Sequence, residues 1–198
     1  VNGKLSTGVP GFDDLTNGGL PRGRITAVFG RAGTGKTIFA LQTLAHRMRD
    51  HGEHTVFVSF EQPVEHVVAD VAGFDWDFAQ VAGDSVTMVD AGLKHDSLQN
   101  GPFTLEALIT GLTAVIEQTG ATTVVLDGID ALLSLLDPKR ERSELARVVT
   151  WLRRTAVTGI ITVKPGDLRD RSVARAEFLE YQTDCVIQLD TVTVANTV

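Results

Sequence analysis

Residues 30–37 read Gly-Arg-Ala-Gly-Thr-Gly-Lys-Thr and fit the pattern G-x-x-x-x-G-K-[ST] at every fixed position. Each residue type has a task in holding phosphate. Gly30, Gly33 and Gly35 are expected to take positive φ, where a side chain would clash. The curl that results points successive backbone N–H groups inward as a nest for anions. A following helix adds the partial positive charge of its N-terminus. Lys36 is placed to reach the β- and γ-phosphates of a nucleoside triphosphate, and the Thr37 hydroxyl to reach its Mg²⁺. The chemistry implied is binding of ATP with magnesium. A chance Gly-rich turn is the competing explanation, and motif and context together disfavour it.

Further carboxylates stand where that chemistry needs them. Asp127 closes the run Thr-Val-Val-Leu-Asp. An acidic residue at the carboxyl end of a buried strand is the usual partner of the Mg²⁺ shell. Ligands collect at those strand ends in open α/β sheets. The plainer reading of Asp127 is a solvated turn carboxylate before Gly128. Asp130, three residues on, is a further candidate for the same crevice. Glu61 follows Val-Phe-Val-Ser-Phe and is placed to accept a hydrogen bond from an attacking water. A helix-start Glu ahead of Pro63, favoured by the macrodipole, explains it equally well. Spacing alone does not choose between the two.

These residues need strands that end together and helices that begin there. Apolar and β-branched runs predict strands over 25–29, 55–60, 86–89, 122–126, 160–163 and 185–189. Apolar residues at Ile38, Leu41, Leu44, Ala45 and Met48 predict a helix from Lys36 to about Asp50. Further helices are expected over 63–71, over 104–118 with Thr104 as N-cap, and over 143–155 with Ser143 as its cap. Residues 1–24, 91–102 and 164–176 read as bent connections or loops. Strand and helix alternate, so the expected fold is α/β, three layers with a mainly parallel sheet covered on both faces.

Composition bounds the rest. A chain of 198 residues with 43% hydrophobic and 22% charged residues suits a single globular domain. The net charge of −7 gives nucleic-acid backbones no general attraction. No apolar run approaches the ~18 residues of a membrane span, and no signal-peptide core opens the chain. A soluble cytoplasmic protein is expected. The missing initiator Met reads as a piece trimmed from a longer chain. The lone Cys185 reads as a small buried hydrophobe in a reducing compartment.

Other conspicuous residues receive plainer readings. Lys139, Arg140, Arg142, Arg147, Arg153 and Arg154, diluted by Glu141 and Glu144, read as a solvated helix face. Arg169, Arg171 and Arg175 lie in the late loop. His46, His51, His54, His66 and His95 lack metal-ligand spacing, and Phe74 and Trp76 read as packing residues.

Three segments make the chain resemble a known family. They are Ser6-Thr-Gly-Val-Pro-Gly-Phe-Asp-Asp14, Gly18-Gly-Leu-Pro-Arg-Gly23 ahead of the phosphate loop, and Phe57-Val-Ser-Phe-Glu61 followed by Phe74-Asp-Trp-Asp77. Together they resemble the KaiC family of RecA-like ATPases. The resemblance implies a RecA-like P-loop core and a ring, typically hexameric, with ATP between subunits. It implies that Gly33, Thr34, Gly35, Lys36, Thr37 and Ile38 contact phosphates, with Thr37 and Asp127 at the metal. Glu61 matches the first member of the family's catalytic Glu pair, and Gly73 falls at an adenine-side position.

This sequence departs from that family's pattern in three places. Gln62 replaces the second Glu of the pair, Lys164-Pro165 replaces an acidic and basic pair, and the family's basic segment that reaches the neighbouring subunit falls beyond Val198. Only one copy of the domain is present, so autophosphorylation tied to a second copy is not carried over. Three functions stay open: a hydrolysing ring ATPase of signalling or clock type, a nucleotide-gated scaffold with protein partners, and a RecA/RadA-type DNA-dependent ATPase.

Overall fold

Short runs of Val, Ile, Leu and Phe with no strict polar alternation suit strands buried on both faces. The computed structural model describes residues 3–76, 78, 85–92, 104–134, 136–137, 139–164 and 172–192. Two short strands, β1 (Lys4–Leu5) and β2 (Leu20–Pro21), pair antiparallel near the N-terminus. Six further strands form the main sheet: β3 (Ile25–Gly30), β4 (Thr55–Ser59), β5 (Val86–Asp90), β6 (Thr123–Asp127), β7 (Thr158–Val163) and β8 (Cys185–Leu189). Their order is β5-β4-β6-β7-β3-β8, and every pairing is parallel.

The described helices are α1 (Phe12–Leu15), α2 (Lys36–His51), α3 (Val64–Asp70), α4 (Leu105–Thr119), α5 (Ile129–Ser134), α6 (Glu141–Thr155) and α7 (Ser172–Gln182). Side chains alternate across each strand and so supply two separate cores. Val28, Phe57, Val125 and Ile160 face α2 and α3 together with Phe39, Leu41, Leu44 and Val67. Ala27, Phe29, Val58, Leu126 and Ile161 face the other way, against Leu112, Leu132, Val149 and Leu179 from the later helices. The expected three-layer α/β architecture is therefore observed.

Several expectations are corrected. The late loop gives way to α7, whose Leu179 is fully buried. Helix α6 begins at Glu141 after Arg140, and the Ser143 hydroxyl donates to the Arg140 carbonyl at 2.7 Å instead of capping the helix. Cys185 is only half-buried because β8 is an edge strand. Thr104 does cap α4: its Oγ1 accepts from the Ala107 N–H at 3.2 Å. Arg169, Arg171, His95, Asp77 and most of the 91–102 loop lie outside the described residues.

The N-terminal segment, expected only to bend, is tied down. Asp13 accepts from the Thr7 N–H at 2.9 Å, the Thr7 hydroxyl at 2.7 Å and the Gly8 N–H at 3.1 Å. Gln42 on α2 donates to the Gly8 carbonyl at 2.8 Å. Gly8 has φ 68°, and a Cβ there would meet the His46 ring. The Ser-Thr-Gly segment is thus a knot that holds the chain onto α2.

Candidate functional site

The phosphate-loop motif bridges β3 and α2, and its backbone curls as it does so. Gly33 and Gly35 have φ 79° and 92°. Gly30 does not have positive φ, contrary to expectation. Glycine fits there for a different reason: a Cβ would strike Thr34 Oγ1 and approach the Leu189 carbonyl oxygen at 2.8 Å. Close packing against β8 excludes the side chain.

Lys36 opens α2 and folds back over the loop. Its ammonium donates to the Gly30 carbonyl at 2.8 Å and the Arg31 carbonyl at 3.0 Å. Thr34 Oγ1 donates to the Arg31 carbonyl at 2.9 Å. The Thr37 hydroxyl donates to Asp127 at 3.0–3.1 Å. Asp127 ends β6, two strands from β3, and is 6% exposed. The intervening strand supplies the bridge. Thr162 of β7 donates to Asp127 Oδ1 at 2.8 Å, and its oxygen accepts from the Gly128 N–H at 2.7 Å.

Glu61 reaches the same place through register. Ser59 pairs with Asp127, so Glu61 emerges beside Gly128. Gly128 has φ 76°, and a Cβ there would lie 2.5 Å from Glu61 Cγ. The Glu61 carboxylate is ion-paired with Lys164, just past the end of β7. The Lys164 N–H in turn donates to Asp130 Oδ2 at 2.7 Å. A cleft of about 330 Å³ opens over these residues. Gly33, Lys36, Thr37 and Ile38 line one side, Glu61, Gln62 and Lys164 another. Val67, Asp70 and Val71 of the α3 segment close a third.

The charges are not at their ordinary balance. Burial pushes the Asp127 carboxyl above its usual range, opposed by the hydrogen bonds from Thr162 and Thr37. Burial also lowers Lys36, and the nearby Lys164 charge lowers it further, against Asp127 and Glu61. The cleft therefore holds a carboxylate that burial disfavours beside ammonium groups that repel one another. A divalent cation at the Thr37–Asp127 pair and an anion at the loop would relieve both, so the donor set fits a metal-bound polyphosphate.

Of the residues singled out in the sequence, Lys36, Thr37, Ile38, Gly33, Gly35, Glu61 and Asp130 line this cleft, and Asp127 lies beneath Thr37. Gly30 and Thr34 shape the loop from behind, and Gly73 is not among the lining residues. Thr162 and the Lys164 contact with Glu61 escaped the sequence reading. The one signal for Thr162 was a lone hydroxyl in the apolar run Gly-Ile-Ile-Thr-Val.

Arg147 pairs with Glu144, and Arg153 donates to the Gln182 carbonyl. Phe74 stacks on Trp76, which meets Phe78 edge-on. Among the described residues, no group of three or more His, Cys, Asp or Glu residues is arranged to hold a metal, and no helix is long and apolar enough to cross a membrane.

A family model described as "ATPase: KaiC" matches residues 5–198. The circadian clock protein KaiC2 of Synechocystis is 38% identical over 194 residues, which are 96% of this chain and 34% of that protein. The circadian clock oscillator protein KaiC of Parathermosynechococcus lividus is 33% identical over 189 residues, 94% of this chain and 35% of that one. The chain thus spans about a third of the length of these relatives. The crystal structure of a KaiC-like protein from the archaeon Pyrococcus horikoshii OT3 superposes with a TM-score of 0.82 at 28% identity, covering 100% of this chain and 85% of that one. Motif, sheet order and relatives agree, and the chain belongs to the KaiC family of ATPases.

Proposed function

We propose that this chain binds ATP with Mg²⁺ in the cleft over the phosphate loop and hydrolyses it. Gly33 to Ile38 hold the phosphates, Lys36 spans the β- and γ-phosphates, and Thr37 with Asp127 holds the metal. When bound there, Mg²⁺ would neutralise charge on the phosphates. Glu61 accepts a hydrogen bond from the attacking water and orients it. The water oxygen bonds to the γ-phosphorus and the bond from that phosphorus to the bridging oxygen breaks. The electron pair leaves with ADP, and the water's proton passes through the Glu61 carboxylate to solvent.

The observation that carries this reading is the Thr37–Asp127 hydrogen bond, which joins the phosphate loop to a strand end 90 residues on. Glu61 stands over the same cleft. Family membership supports assembly into a ring of clock or signalling type, in which a neighbouring subunit contributes cations to the second wall of each site. Net charge of −7 counts against a nucleic-acid partner.

Glu61→Gln should keep ATP affinity and lose turnover by about 10²–10⁴-fold, read as Mg²⁺-dependent ADP release. Lys36→Ala should lose binding itself. Unchanged turnover in Glu61→Gln would remove that carboxylate from its role. Light-scattering mass with ATP and with ADP separates the enzyme from a scaffold, since assembly without turnover marks the latter.

A further inference from the structure

Lys164 follows β7, and its ammonium rests on the Glu61 carboxylate. Both side chains face the open cleft, at 44% and 34% exposure. An ion pair this exposed contributes little and exchanges partners readily. The two residues are nonetheless firmly placed. The Lys164 backbone is anchored by Asp130 at 2.7 Å, and the Glu61 stem packs on Gly128. Lys164 and Lys36 line the same cleft. One ammonium held in the phosphate loop and a second, exposed one across the same cleft make a surface complementary to a polyanion. A bound triphosphate outbids a single carboxylate for such a cation, because its terminal phosphate carries more charge and more acceptor oxygens.

Resting on the reading of this cleft as an ATP site, we propose that Lys164 is an intrachain γ-phosphate ligand. Its ammonium pairs with Glu61, and on triphosphate binding it moves to the γ-phosphate. The exchange has two consequences. It frees the Glu61 carboxylate to accept from water only when a γ-phosphate is present. It also places a cation on the transferring group, where charge must be stabilised as the bond to the bridging oxygen breaks. ADP has no γ-phosphate and leaves Lys164 on Glu61, so the pair makes the site discriminate triphosphate from diphosphate.

The test uses the full chain with Mg²⁺ and compares wild type, Lys164→Met, Lys164→Gln and Lys164→Arg. Fluorescent ATP and ADP analogues give affinities, ADP release gives kcat and KM, and thermal melts verify folding. Lys164→Met and Lys164→Gln should lower kcat about 10²-fold and weaken ATP binding while leaving ADP binding unchanged. The ATP-to-ADP affinity ratio should fall towards one. Lys164→Arg should recover most of both. Turnover equal to or faster than wild type in the Met and Gln variants, or equal losses for ATP and ADP, would overturn the proposal. A wild-type chain that binds neither nucleotide overturns the cleft reading itself, a distinguishable result that removes this proposal with it.

Discussion

Asp127 shows how far one residue can be read before its surroundings are known. The sequence places it at a strand end and gives it a metal-side role. It does not reveal that Thr37 and Thr162 both donate to it, or that burial raises its pKa. A carboxyl with a raised pKa costs stability at neutral pH, because folding favours the protonated form. That penalty is absent below the ordinary carboxylate range and sets in as pH rises through the folded value. Asp127→Asn keeps an acceptor oxygen for both hydroxyls and removes the charge. In urea unfolding at pH 7 without nucleotide, the variant should be more stable than the wild type, because it removes the charge that burial disfavours. The extra stability that Mg-ATP gives the wild type should vanish in the variant. Gly30 makes the complementary point. The motif fixed the residue, but its reason is a crowded contact with Thr34 and β8, not a positive φ.

At the scale of elements, local signals served well where the local physics is strong. Thr104 caps α4 as its position predicts, and Gly120 ends the same helix with φ 66°. Thr104→Ala should therefore cost about 1 kcal/mol, measured by the urea midpoint, without altering nucleotide affinity. The helix over Ser172–Gln182 went unseen because its pattern is weakly amphipathic and follows a Gly, Asp and Arg-rich run. Burial of Leu179 against the sheet, a contact distant in sequence, goes with its helical form. The segments that carried the family resemblance also change meaning. Ser6-Thr7-Gly8 and Gly18-Gly19 lie in structural knots: Thr7 and Gly8 are gathered on Asp13, and a Cβ at Gly19 would strike the Leu5 carbonyl. Close backbone approach at Gly8 and Gly19 leaves no room for a larger residue, and neither glycine lines the cleft over the phosphate loop.

At the scale of the whole molecule, the two ends of the sheet do different work. The candidate site occupies the carboxyl ends of β3, β4, β6 and β7. At the opposite end, Glu53 clasps three segments. It pairs with the nearly buried Arg47 of α2, accepts from Arg22 at 3.0 Å, and accepts from Thr122 before β6 at 2.9 Å. Burial alone would raise the Glu53 carboxyl, yet the hydrogen bonds from Arg47, Arg22 and Thr122 prevail and hold it at about 2 against an ordinary 4.5. A depressed carboxylate pKa gives stability that is complete above the ordinary value and is lost as pH falls through the folded one. Unfolding free energy should therefore decline from about pH 4.5 towards 2 in the wild type. In Glu53→Gln that decline should be shallower, and at pH 7 the variant should be less stable by about 3 kcal/mol, since Arg47 would be left buried without its carboxylate. Urea titrations across that pH range decide both points.

The sequence by itself determined the phosphate loop, the strand–helix alternation, the family, and the nomination of Lys36, Thr37, Asp127 and Glu61. Those signals are local: a motif and its neighbours, or a hydrophobic period. The tertiary structure alone decided which strands lie side by side. That order sets Thr162 between the phosphate loop and Asp127, and sets Lys164 against Glu61 across 103 residues of chain. Such contacts arise from sheet order and register, and neither is written in any short stretch of residues. The shared cleft is a property of that order.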